Sequence, residues 1–527
     1  MPFRVVDPDY EKQALAEIQK SLPSENVLEL IIYEVSLPLL LDSAEEQLPC
    51  HEPVEETTAI SAHVSARIHA FYKQLAAWYA EPANAEAPGG ISIGILVMPQ
   101  DFDEKPYCGH RKYHSRRLQL HDPATLPDLS FVSSLTVESR PDFGGDWESY
   151  GVRPLSPLVP LQCLVHLPAV EALKLPWVWE RPMPCCMPSR VMREHYTRPW
   201  EGPLRDARHE FGAAIINPEK YLCGRRIPES LTEATMHFWT PRQIPEDDQA
   251  VPRPNLIYPA DKDPISIGLC KLAAQLQKFD VRALITEDLF PSPEAPTEEQ
   301  WSKMRLLRIE FHPLRPDGRW YFVGPRGEDP HDSEEGGFII SKSEHYPREY
   351  DTEEDQDLDE EWENNPKAGV DTDFMPDHFR TQPCRDRIEP LLAAFAKALT
   401  HNNMPSLEAA EMFAYLWWHP SHSRGEEYGI SPESYIETEV HRWGVKYVAG
   451  RDGKGGDAVA PTVQWQVGDW RPSREVLSVF ESLGQQEWLN LENAEQRYYG
   501  DFAMSFGNKY YRDCAPCPFD QLKAAYC

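Results

Sequence analysis

The chain reads as an α/β protein in which helix–strand units stack, solenoid fashion, behind a curved and mostly parallel sheet. Three observations predict this. A helical apolar pattern followed by a strand recurs along the 527 residues. Each such unit carries an apolar face that it cannot bury alone, so neighbours must shelter one another. Fifty prolines divide the chain into short elements joined by stiff connections.

The clearest unit spans Ile265 to Gly324. Ile267, Leu269, Leu272, Ala273 and Leu276 recur at helical spacing, and two strands, Phe279–Leu284 and Leu306–Phe311, alternate apolar with polar residues. An aromatic hairpin follows, turned by Pro316-Asp-Gly318 ahead of Trp320 and Tyr321. Upstream, Tyr10–Leu22 has an amphipathic helical pattern and Val27–Val35 reads as a buried strand. Thr57 or Thr58 is expected to cap a helix whose face is Ile60, Val64, Ile68, Phe71, Leu75 and Trp78. Gly89–Met98 supplies the next strand.

Leu126-Pro and Leu167-Pro each stand ahead of a Leu-rich strand, in the manner of irregular leucine-rich repeats. The same order returns in the helix Arg205–Ile216 before the strand Leu231–Phe238, and in Arg387–Thr400 before Met404–Met412. A last unit joins the strand Val463–Val467 to a helix from Arg474 to Leu483, with Ser473 as its cap. The spacing is uneven and the Asn ladder of a regular repeat is missing, so the expected fold is an irregular leucine-rich-repeat-like solenoid. Expected boundaries are 1–327 for a first repeat region, 328–373 for an acidic disordered loop, and 374–527 for further repeats and a Tyr-rich tail.

A formal charge of −33 argues against nucleic acid and for basic partners. The longest apolar runs, such as Leu37–Leu41, are too short to cross a bilayer, and no secretory leader opens the chain. Eleven scattered cysteines fit reduced thiols, which places the protein in the cytoplasm or nucleus.

Each pattern that suggests chemistry has a plainer explanation. Gly90-Ile-Ser92-Ile-Gly94 matches a hydrolase nucleophile elbow, but that Ser must end a strand and open a helix, whereas here a strand continues past it. Asp355, Asp357 and Asp359 resemble a calcium loop, yet Glu360 stands where the loop needs Gly and Pro366 where it needs Glu. Cys108, His110 and His114, the pair Cys185-Cys186, and Cys514 with Cys517 lack a second pair at zinc spacing. Gly450–Gly456, with Lys454, lacks the spacer and hydroxyl of a phosphate loop. Trp320, Tyr321, Trp417, Trp418, Trp465 and Trp470 read as core or interface aromatics. Arg205, Asp206, Arg208 and His209 read as an ion-pair network that orients a helix. The expectation is therefore no catalytic, cofactor-binding or metal-binding residue, with a fungal metabolic hydrolase as the rival reading.

Trp200-Glu-Gly-Pro-Leu-Arg205-Asp-Ala-Arg208-His209-Glu-Phe211, Gly318-Arg-Trp-Tyr-Phe322 with Gly324–Gly327, and Val467-Gly-Asp-Trp470-Arg-Pro-Ser473 carry a resemblance. They resemble blocks of filamentous-fungal F-box-like proteins with a degenerate leucine-rich-repeat body. The resemblance implies a substrate-recognition body of a ubiquitin ligase, recruited through an N-terminal F-box to a Skp-type linker and a cullin. The chain departs from that pattern at its start. Met1–Asp9 leaves no room for an F-box and Ser21-Leu-Pro-Ser-Glu25 leads straight into a strand, so a truncated gene model or a lost module is expected.

Overall fold

The computed structural model describes residues 3–6, 30–38, 52–81, 90–98, 100, 116–139, 153–177, 201–239, 248–291, 300–347, 353, 357, 377–430, 439–450 and 459–491. The fold is mixed α/β with mostly parallel strand pairing. Contacts divide the chain into two units, Met1–Met236 with Ser341–Phe374, and His237–Ile340 with Met375–Cys527.

In the first unit, β1 (Phe3–Val6), β2 (Leu30–Val35), β3 (Ile91–Val97), β4 (Val132–Ser139), β5 (Ala172–Trp177) and β6 (Glu233–His237) lie side by side in chain order, every pair parallel. The β-branched runs make these strands, and the register places Ile31 beside Ile93, Tyr33 beside Ile95, and Ile95 beside Val137. Helices α1 (Val54–Ala80), α2 (Leu158–Leu164) and α3 (Glu201–Ile216) connect or follow them. The α1 face expected from the sequence is the buried one. Phe71 stacks on Tyr33 at 4.5 Å between ring centroids, which adds about 0.5–1.5 kcal/mol to its burial. Capping at Thr57 or Thr58 is not what the structure has. The helix begins at Val54 with Pro53 at the cap position, and both hydroxyls instead donate back to the carbonyls of Pro53 and Val54. Helix α2 escapes periodicity because all seven of its residues are buried.

In the second unit, α4 (Pro264–Ala273) precedes β7 (Lys278–Ala283), which pairs in parallel with β8 (Leu306–Phe311). Asp263 caps α4 by accepting from the Ser266 amide. A two-residue ladder joins β9 (Phe322–Val323) to β10 (Gln382–Pro383), which leads into α5 (Arg385–Ala398). β8 pairs in parallel with β11 (Ala409–Trp418). Here the expectation of helix–strand alternation fails, because β12 (Glu439–Val448) and β13 (Thr462–Gln466) continue as an antiparallel meander. β13 then leads into α6 (Arg474–Glu481) and β14 (Gln485–Trp488), parallel to β13. Ser473 caps α6 as expected, accepting from Val476.

The Pro316-Asp-Gly turn forms as expected, with Gly318 at φ +86° and Leu314 bridged to Trp320. A Cβ on Gly318 would lie 2.7 Å from Gly337 and 2.8 Å from the Pro254 carbonyl, so only glycine fits. Gly337 belongs to the segment expected to be a disordered acidic loop, and that expectation is corrected for 328–347. Phe338 exchanges backbone hydrogen bonds with Arg253 and Asn255, while Asp329 pairs with the buried guanidiniums of Arg380 and Arg387. Asp329 and Asp332 there are counterions to buried arginines. The helix expected over Tyr10–Leu22 and the tail beyond 491 lie outside the described residues.

Candidate functional site

In the second unit, strand alternation puts Phe279, Val281, Leu307, Ile309, Met412 and Trp465 on one face. Phe290, Phe395 and Phe480 pack there from α5, α6 and the loop after β7, Phe480 lying 4.6 Å from Trp465. The other face carries charge. Register sets Asp280 beside Arg308 beside Glu411, and in the next row Arg282 beside Glu310 beside Phe413. Arg282 Nε lies 2.9 Å from Glu310, Arg308 lies 3.2 Å from Asp280 and 3.5 Å from Glu411, and Arg442 lies 2.9 Å from Glu411. Two guanidiniums flank Phe413, Arg308 at 4.8 Å and Arg442 at 3.9 Å from the ring centroid. Gly444 stands opposite Phe413, where a Cβ would meet it at 2.6 Å.

Glu310 is fully buried, and Arg282, Arg308, Glu411 and Arg442 are nearly so. Three carboxylates oppose three guanidiniums, so each charge is compensated, as burial requires. A one-residue slip of register would drive them into the apolar helical layer, so the ladder specifies the pairing. At its edge His237 Nε2 lies 3.3 Å from Asp280. Burial would raise the Asp280 carboxyl, but Arg308 and His237 outweigh it and hold the group well below the usual carboxylate range. Burial, with Arg282 nearby, pushes the His237 imidazole down. Asp280 keeps 29% of its side chain exposed, and the other polar positions that alternation assigns to solvent are buried and ion-paired.

On the helix side of the same strands, where β11 and β13 end and β12 begins, lies a cleft of about 350 Å³. Leu416, Trp418, His441, Trp443 and Leu491 line it, together with Thr381–Pro383 leading into α5 and Val467–Trp470 leading toward α6. The carboxyl ends of strands are where α/β sheets place ligands, because loops there diverge. Trp443 packs edge-on against Phe322 at 5.2 Å and lies 5.7 Å from Trp470. Its indole Nε1 is buried and makes no hydrogen bond among the described residues. Arg471 donates to the carbonyls of Gly468 and Trp470 at 2.6 Å each and stacks on Trp488, which fixes the loop. Arg385, 5.8 Å from the Trp470 ring, is held by Glu389 at 2.6 Å. Of the tryptophans singled out in the sequence, Trp418 and Trp470 line this cleft. Trp465 is core, Trp417 faces the charged side near His378, and Trp320 lies under Arg253 and Arg380.

In the first unit, alternation gives β2 to β6 a second face on which Glu34, Ser92, Thr136, Glu138, Lys174, Glu233 and Thr235 are half-exposed or exposed, interspersed with half-buried Leu30 and Ile32 and with buried Leu96 and Ser134. Ser92 sits inside β3 rather than at a strand–helix turn. Of the expected network of Arg205, Asp206, Arg208 and His209, Arg205 and Asp206 pair at 2.9 Å, and the Tyr346 hydroxyl bridges them, accepting from Arg205 and donating to Asp206 at 2.6 Å each. Arg208 is buried in α3. The sequence pattern misses Tyr346, whose ring lies over Gly202. Cys108, His110, His114, Cys185, Cys186, Asp355, Asp359, Lys454, Cys514 and Cys517 lie outside the described residues. Among the described residues no group of three His, Cys, Asp or Glu gathers as a metal site, and no helix is long and apolar enough to cross a membrane.

No family model, curated protein or solved structure matches the chain.

Proposed function

We propose that this protein is a non-enzymatic interaction scaffold whose first unit is an irregular leucine-rich-repeat-like solenoid presenting its uncovered strand face to a protein partner. One observation carries the reading: β1 to β6 follow one another in strict chain order, all parallel. Right-handed crossovers between strands laid down in one direction put every connecting helix on the same face. A doubly wound sheet reverses its order, covers both faces and makes a crevice at the reversal; these six strands have no reversal. What remains is a face of Glu34, Ser92, Thr136, Glu138, Lys174, Glu233 and Thr235, in which three carboxylates outnumber one ammonium. Repeat proteins bind partners on such a face.

Its charge, like that of the whole chain, suits a partner with a basic surface. In the F-box-like reading this partner is the ligase substrate, and the Skp-type linker and cullin act elsewhere. The test is quantitative capture from the native cell with the wild-type chain, with Glu34→Lys/Glu138→Lys/Glu233→Lys, and with the helix-side control Glu55→Lys. A partner kept by the control and lost by the triple variant supports the scaffold. Equal capture by all three contradicts it, and recovery of a cullin with its linker decides for the ligase.

A further inference from the structure

The aromatic cleft of the second unit is chemically distinct from that strand face. We propose that it binds a cationic side chain, the lysine ammonium or arginine guanidinium of a basic peptide. Three indoles, those of Trp418, Trp443 and Trp470, share its wall. Indole faces attract cations within about 6 Å. The chain uses this itself beside the cleft, with Arg385 on Trp470 and Arg471 on Trp488, yet among the described residues no cation of its own stacks on Trp418 or Trp443.

One further feature points to the same ligand. Asp469 is exposed on the cleft wall, and its carboxylate has no hydrogen bond or ion pair among the described residues. It is positioned to pair with an entering cation. Arg385 does not oppose entry, because Glu389 holds it at 2.6 Å. A cleft of about 350 Å³ takes one long side chain with its backbone. The net charge of −33 draws basic segments toward it.

The test uses the full chain with its tryptophan indoles ¹⁵N-labelled, titrated with four capped tripeptides: Ac-Ala-Lys-Ala-NH2, Ac-Ala-Arg-Ala-NH2, Ac-Ala-Gln-Ala-NH2 and Ac-Ala-Pro-Ala-NH2. The lysine and arginine peptides are expected to shift the Trp443 and Trp418 indole resonances saturably, and the glutamine and proline peptides to leave them in place. Asp469→Asn, on an exposed side chain that supports no other group, is expected to weaken binding about threefold to tenfold. Added salt should weaken it as well. Three outcomes would overturn the proposal: no shift with either cationic peptide at concentrations on the order of 10 mM, equal shifts with glutamine or proline, or unchanged affinity in Asp469→Asn.

Discussion

Replacing Glu310 with Gln removes one charge from the middle of the buried ladder at constant volume. Arg282, 1% exposed, then loses the carboxylate 2.9 Å away and keeps only the more distant field of Asp280. Arg308 is less affected, since Asp280 and Glu411 also face it. An orphaned buried guanidinium costs about 3–5 kcal/mol, which for a unit of this size lowers Tm by about 10 °C. Thermal and urea unfolding followed by circular dichroism measures it. The paired replacement Arg282→Met with Glu310→Leu removes both charges and should recover most of the loss, whereas Glu34→Gln on the half-exposed face should cost under about 0.5 kcal/mol. A Glu310→Gln loss below about 1 kcal/mol, or a double variant no better than the single, would refute the compensated-ladder account.

Gly202→Ala puts a Cβ about 2.3 Å from the Tyr346 ring, so residues 341–347 should leave α3. Hydrogen exchange should rise across that segment alone, and Tyr346→Phe, losing two hydrogen bonds, should give a milder version costing about 1 kcal/mol. Ser473→Ala should cost about 1 kcal/mol through loss of the α6 cap, read by urea unfolding. Stability should also depend on pH in two windows. His237 is held neutral by burial, so the unfolded chain binds the extra proton and stability falls as pH drops below about 6.5. Asp280 is depressed, so its contribution is complete above about pH 4 and is lost below it. His237→Asn should flatten the upper window, leaving the contribution of His166, which burial likewise lowers.

Much of the framework is legible in the residues. The α1 stripe, the strands Leu306–Phe311 and Ile91–Val97, the Gly318 turn and the Ser473 cap follow from periodicity and turn chemistry. Helix α2 has no polar face to reveal it, and β12 is obscured by Gly444 and the alternating Val440, Arg442 and Lys446. The ladder is invisible for a different reason. Asp280, Arg308 and Glu411 stand far apart in sequence, and alternation alone cannot distinguish a polar residue facing solvent from one facing an opposite charge on the next strand. Trp470 and Trp418 are prominent in the sequence, but Asp469 and His441 gain interest only when β11, β12 and β13 bring them to one cleft.

The most direct measurement places a photo-reactive residue at Thr136 or Thr235, on the strand face of the first unit, and at Thr58 or Glu229, away from it, in chains expressed in the native cell. The scaffold account predicts a discrete protein adduct from the first two positions and none from the second two. Adducts from Thr58 or Glu229 with none from Thr136 or Thr235 would contradict it.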